Sequence, residues 1–274
     1  MKDLFDLSGM IAVITGGTGF LGRKHAEAVA EYGGIPVILD LDQVQINSFV
    51  EDLQQKYRVS AAGLVTDITQ EEEVGEACRK VREQFAKVDV LINNAANNPQ
   101  VDSRNQLRNT SRLENFPLEQ WNADLAVGLT GSFLCAKYFG NAIAASGGGS
   151  IINIASDLGI IAPNQNLYKN EELPEHRQNV KPVSYSVVKT GLLGLTRYLA
   201  TYWPEKRVRC NAICPGGVYN GQNEEFVMKI SSLIPMGRMA ESDELKGAVL
   251  LLASRASSYI NGATLIVDGG RSVW

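Results

Sequence analysis

The chain has only two histidines, His25 and His176, and four cysteines, Cys78, Cys135, Cys210 and Cys214, scattered without a C-x-x-C pair. A structural zinc site gathers about four N or S ligands at close spacing, so no metal site is expected and the thiols read as reduced and structural. Long hydrophobic runs are missing too: nothing reaches the roughly eighteen apolar residues of a membrane-spanning helix. The opening MKDLFDLSG is too acidic and too short in apolar residues for a secretory leader, and the expected location is the cytoplasm. Basic clusters are also absent, and the formal charge is -4, so neither nucleic acid nor an anionic membrane is an expected partner. A small polar molecule is. No internal repeat, linker or low-complexity tract divides the 274 residues, of which 45% are hydrophobic, enough to build a sizeable core in one domain.

Short unbroken apolar runs alternate with longer mixed ones. MIAVIT, IPVILD, GLVTD, VDVLINNAA, GSIINIAS, VRCNAICPGG and ATLIVDGG read as strands. Their lack of in-and-out alternation marks parallel strands buried on both faces. KHAEAVAEYG, QINSFVEDLQQKY, WNADLAVGLTGSFLCAKYFGNAIAA and SYSVVKTGLLGLTRYLATYW read as helices between them. This alternation predicts an α/β fold: a single Rossmann-like, doubly wound parallel sheet of about seven strands flanked by helices, one domain over 1–274. Two connections, at about 97–115 and 158–181, are long and polar, the character of lids or binding loops.

TGGTGFLG, residues 15–22, falls between the first strand and the first helix. Glycines there let the backbone and a helix N-terminus approach a pyrophosphate; the plainer reading is a tight turn. Asp40 ends the second strand, where a carboxylate accepts hydrogen bonds from a ribose and repels a 2′-phosphate, favouring NAD(H) over NADP(H). The plainer reading is a solvated strand end like Asp42. YSVVK, residues 185–189, sets Tyr185 and Lys189 on one helix face. YWPEK at 202–206 repeats the spacing, but Pro204 interrupts any helix there, so it serves as an internal control. A lysine cation beside a phenol favours the phenolate and lowers a pKa that is ordinarily about 10, which would let Tyr185 shuttle a proton while Ser156 orients a substrate oxygen. Against this stand a half-buried aromatic, a solvated lysine and a loop or cap serine.

Taken in order, TGGTGFLG, Asp40, TDIT at 66–69, NNAA at 93–96, INIAS ending in Ser156, YSVVK, PGGV at 215–218 and VDGG at 267–270 resemble the short-chain dehydrogenase/reductase family along nearly the whole chain. The resemblance implies an NAD(P)-dependent oxidoreductase in which Tyr185 is the acid/base, Lys189 holds the nicotinamide ribose and lowers the Tyr185 pKa, and Ser156 binds the substrate oxygen. It places the cofactor on Gly16, Thr18, Gly19, Leu21 and Gly22, with Asp40 at the ribose, Asp67 and Ile68 at the adenine, and Asn94 and Ala95 beside it. Pro215 and Val218 would meet the carboxamide. A homo-oligomer, dimer or tetramer, is expected. The run from KPVSYSVVK to VDGG is also similar to oxidoreductases of bacterial surface-sugar pathways, including nonulosonate (legionaminic acid type) biosynthesis.

Two positions depart from the family pattern. Phe20 turns the glycine motif into Gly16, Gly19 and Gly22 at GxxGxxG spacing, that of the family's sugar-nucleotide branch. Gly128, in VGLTG, stands where the family commonly has an asparagine that holds a water of the proton relay. The polar loop residues Arg104, Arg108, Arg112, Asn164, Gln165, Asn166, Tyr168, Lys169, His176 and Arg177 suit a sugar-like substrate, or else serve as solvated surface. Besides net oxidation or reduction, transient internal redox in a dehydratase or epimerase, and a non-catalytic cofactor-binding protein, are the competing readings.

Overall fold

The computed structural model describes residues 4–97 and 111–274. Its strands are β1 (Ile11–Thr15), β2 (Ile35–Asp40), β3 (Ala62–Val65), β4 (Val90–Asn93), β5 (Gly149–Ile154), β6 (Val208–Pro215) and β7 (Thr264–Val267). They form one sheet in the order β3-β2-β1-β4-β5-β6-β7, every neighbouring pair parallel. The fold is the expected Rossmann-like α/β sheet. Helices cover both faces: α1 (Phe20–Glu31), α2 (Gln43–Tyr57), α3 (Glu71–Phe85), α4 (Leu118–Leu125), α5 (Gly131–Cys135), α6 (Asn141–Ala145), α7 (Val183–Ala200), α8 (Glu224–Ser231) and α9 (Lys246–Ala253).

Consecutive strand residues point to opposite layers, and both layers are apolar. Val13, Val37 and Leu91 pack with Val74 and Ala77 of α3 and Ile143 of α6, while Ile14, Ile38 and Ile92 pack with Val29 of α1, Phe49 of α2 and Leu252 of α9. Each fully buried aliphatic side chain contributes about 1.5–3 kcal/mol, which is why these runs lack alternation. β1 has β2 on one side and β4 on the other, so the chain changes winding direction there and opens a crevice at the carboxyl ends of the strands.

Three helices add to those expected from sequence. α3 is polar over most of its surface, and its buried positions Val74, Ala77, Cys78 and Val81 are modest in size. α8 and α9 are short, eight residues each. The long helix expected over residues 121–145 is α4, α5 and α6 joined end to end by π-helical turns at Ala126–Thr130 and Ala136–Gly140. The 158–181 loop carries three short 3-10 turns, at Asp157–Gly159, Gln165–Tyr168 and Glu175–Arg177. It touches the described end of the other long loop, where Ser111 Oγ accepts from Val180 N–H at 3.1 Å and Arg112 donates to the Glu175 carbonyl at 2.8 Å. Arg104 and Arg108 lie outside the described residues.

Candidate active site

The turn after β1 is built by what glycine leaves out. Gly16 has φ +60, and a Cβ there would stand 2.9 Å from Ala95 Cα; one on Gly22 would stand 2.1 Å from the Gly16 carbonyl oxygen. Helix α1 therefore seats directly on the turn, with Phe20 beginning the helix without disturbing it. Gly19 caps α1 with no side-chain acceptor on its first N–H groups, which leaves them available to an anion. Side chains from the neighbouring strand ends brace the loop. Asn94 Nδ2 donates to the carbonyls of Thr15 and Gly16, both at 3.0 Å. Asp40 Oδ2 accepts from the Thr18 N–H at 2.9 Å and its hydroxyl at 2.6 Å, and Oδ1 accepts from the Leu41 N–H at 2.8 Å. A carboxylate has about four acceptor positions, so one remains at the cleft wall for a ribose hydroxyl. Close-approach glycines, an uncapped helix start and a strand-end carboxylate together fit a dinucleotide. Leu21, Asp67, Ile68, Ala95, Pro215 and Val218 line the same cleft, whose volume is about 1130 Å³.

Tyr185 and Lys189 sit on the first turns of α7. Their direction is set by a polar bridge through the sheet: Asn93 Nδ2 donates to Asn153 Oδ1 at 2.8 Å, and Asn153 Nδ2 donates to Thr196 Oγ1 at 2.8 Å. Thr196 shares a helix face with Lys189, seven residues earlier, so the bridge fixes the rotation of α7 against β5. Lys189 is buried and donates from Nζ to the Ile154 carbonyl at 2.8 Å. Burial brings its pKa down to about 8, and the nearby Lys181 cation adds to the lowering. Tyr185 departs from expectation: burial pushes its phenol above the ordinary value, a hydrogen bond from Ser156 opposes this, and the Asp157 charge adds to the rise. Lys189 lies 5.8 Å from the ring centroid and is itself desolvated, so in the chain alone desolvation outweighs the expected lowering. The control segment behaves as such. Pro204–Lys206 is a 3-10 turn, and Tyr202 is exposed and stacked edge-on against Trp203.

Ser156 caps a 3-10 turn and also lines the cleft. Its Oγ accepts from Leu158 N–H at 3.2 Å, capping the 3-10 turn, and donates to Asp157 Oδ1 at 2.9 Å. Asp157 Oδ2 in turn accepts from Arg271 at 2.7 Å, and both partners are buried. Asp157, Arg271 and Lys181 are site residues that the motifs do not reveal. Arg271 comes from 114 residues further along, placed by Asp268, which accepts from Gly270 N–H at 2.9 Å and Ser272 N–H at 2.8 Å. Lys181 Nζ stands 3.7 Å from the Tyr185 ring centroid, and burial brings its pKa down to about 8.

Of the polar loop residues, Tyr168 and Lys169 line the cleft. Asn164 caps a 3-10 turn, Gln165 accepts from Lys181 N–H at 2.8 Å, and Arg112 braces the loops. Gly128 lies in the first π turn, and a Cβ there would stand 2.4 Å from Val188 Cγ1, so Val188 occupies the space a side chain would need.

A family model described as short chain dehydrogenase matches residues 10–169, and one described as Enoyl-(Acyl carrier protein) reductase matches residues 175–272. The chain belongs to the short-chain dehydrogenase/reductase family. Members bind a nicotinamide cofactor and interconvert CH–OH and C=O groups. The chain is 30% identical to the NAD-dependent glycerol dehydrogenase of Listeria innocua over 278 residues, covering 98% of this chain and 96% of that one. It is 31% identical to the NADP-dependent mannitol dehydrogenase of Alternaria alternata, covering 100% of this chain and 96% of that one. A crystal structure of gluconate 5-dehydrogenase from Burkholderia cenocepacia, in complex with NADP and tartrate, superposes with TM-score 0.86 at 26% identity, covering 100% of this chain and 99% of that one. Among the described residues no group of three or more His, Cys, Asp or Glu could hold a metal, and no helix is long and apolar enough to cross a membrane.

Proposed function

We propose that the chain is an NAD(H)-dependent oxidoreductase of a polyol or sugar-like substrate, exchanging a hydride between the nicotinamide and a carbinol or carbonyl carbon. The observation that carries this reading is the gathering of Ser156, Tyr185 and Lys189 at the floor of the cleft that also holds the glycine turn and Asp40. A chain that only bound cofactor would have no need of a buried lysine fixed at 2.8 Å from the Ile154 carbonyl beside a half-buried phenol. The preference for NAD rests on Asp40, which brings a carboxylate to the cleft wall where a 2′-phosphate would sit. The polar substrate rests on the cleft wall, with Tyr168, Lys169, Asn179, Asn220 and Gln222 facing it, and on the polyol relatives.

The bound nicotinamide supplies the hydride acceptor or donor. Tyr185 takes the carbinol proton in oxidation and returns it in reduction. Ser156, placed by Asp157 and Leu158, turns its hydroxyl proton from Asp157 to the substrate oxygen, holds that oxygen within reach of the phenol and stabilises charge that develops on it. Lys189 offsets that charge from below. Tyr185→Phe should retain NADH binding and lose about a hundredfold or more in kcat on any carbinol the wild type oxidises. Full activity in that variant would remove Tyr185 from the chemistry. Titration with NADH and NADPH should show tighter NADH binding, and equal affinities would remove the role given to Asp40.

A further inference from the structure

A second cavity, about 10 Å³ and thus the size of one water, lies against Gly128 behind Tyr185. Its wall includes Asp124, Ser184, Lys181, Lys189 and Tyr185, with Val188 over the glycine. A buried water needs two to four polar partners, and this wall offers that many. Asp124 is on α4, one helical turn before Gly128 and on the same face. It is 6% exposed and accepts from the Ser184 hydroxyl on Oδ2 and from Gln120 Nε2 on Oδ1 at 2.7 Å. Ser184 directly precedes Tyr185, and Gln120 is half-buried, so the carboxylate bridges the interior and the surface. The Gly128 carbonyl is meanwhile occupied by the Ser132 hydroxyl at 3.0 Å.

We propose that Asp124, assisted by Ser184 and Lys181 around this one-water cavity, supplies the proton path that the side chain missing at Gly128 would otherwise serve. The inference rests on the oxidoreductase reading above. Each oxidation sends one hydride to the nicotinamide and one proton to Tyr185, and the phenol must lose that proton before the next turnover. Lys189 passes a proton to the cavity water, the water passes one to Asp124, Asp124 releases one to solvent beside the half-buried Gln120, and Tyr185 resupplies Lys189; one proton leaves and no electron moves along this route. Lys181, over the Tyr185 ring, is a positioning residue that keeps the pair poised for transfer, its pKa brought near that of Lys189 by the same burial. The other groups facing the phenol are Asp157, Cys214 and Tyr168, with Arg271 held by Asp157.

The deciding readout needs no substrate. A rapid pH jump on the protein saturated with NAD, so that the main cleft is filled, followed by phenolate absorbance of the wild type minus Tyr185→Phe, reads how fast the Tyr185 proton reaches solvent by the inner path. Asp124→Asn, which keeps the shape of the side chain, should slow this equilibration by about tenfold or more and lower kcat with KM unchanged. Adding Gly128→Asn together with Val188→Ala, which removes the methyl group that stands 2.4 Å from a Cβ at position 128, should restore both. Lys181→Gln, at the rim of the main cleft, should slow equilibration without touching Asp124 and serves if Asp124→Asn does not fold. Unchanged equilibration rates in Asp124→Asn, or in Lys181→Gln where that variant stands in, overturn the proposal even if turnover on a polyol is found. Absence of turnover in the wild type would instead overturn the oxidoreductase reading, while the pH jump still decides the path.

Discussion

The glycine turn and the wall around Tyr185 share one edge of one sheet and are built on opposite plans. The turn is local: its closest approach runs from Gly22 back to Gly16, and its braces reach only across neighbouring strand ends, through Asn94 and Asp40. The wall is assembled from distant segments, with Ser156 and Asp157 after β5, Lys181 at the end of a loop, Tyr185 on α7 and Arg271 near the end of the chain. Steric fit governs the first and paired charge the second. A methyl group should therefore damage the turn, and a lost charge should damage the wall.

The largest expected effect is in the wall. Arg271→Ala leaves Asp157, 2% exposed, without its cation, and should cost about 3–5 kcal/mol by urea unfolding. A cost near that of an exposed ion pair, below about 1 kcal/mol, would show that charge does not organise this region. The turn region carries one titratable exception, which sharpens the contrast. His25 on α1 is fully buried, and burial brings its pKa down to about 4 from 6.5. Between those values the unfolded chain binds the proton first, so stability should fall as pH drops from about 6.5 to about 4, by about 3 kcal/mol in total. His25→Leu should flatten that limb in unfolding curves taken across the range, and an identical limb in both proteins would assign the loss elsewhere.

Smaller effects separate steric from merely conformational glycine. Gly22→Ala should weaken NADH binding by about tenfold or more, measured by fluorescence titration, because its methyl group meets the Gly16 carbonyl oxygen. Gly194→Ala, exposed on α7 with no atom within 4 Å of its Cβ, should leave binding intact and stabilise the protein by about 0.5–1 kcal/mol. If the two variants behaved alike, the turn would not be a steric device.

The same contrast explains what the sequence reveals. The strands, the glycine turn, Asp40 and the Tyr185–Lys189 face are legible because each is written in a few adjacent residues with a fixed period. Asp157 and Arg271 leave no such trace: an Asp after a serine and an Arg after two glycines are ordinary until the fold brings them to 2.7 Å. Asp124 hides likewise in an amphipathic helix, and only Val188 above Gly128 shows that the glycine is filled space rather than room for another side chain. The loop residues with sugar-binding chemistry are legible as a type but not as a set: among the described ones Tyr168 and Lys169 line the cleft, while Asn164 and Gln165 bind the loop itself.

The most direct test of the central claim is nicotinamide absorbance on mixing purified wild type and Tyr185→Phe with NAD or NADH and a panel of polyols, sugar acids and ketoses. The expected result is turnover of at least one polyol or ketose class by the wild type and its near-complete loss in Tyr185→Phe, with NADH binding equal in the two. Tight NADH binding with no turnover on any member of the panel, or turnover that survives in Tyr185→Phe, would contradict it.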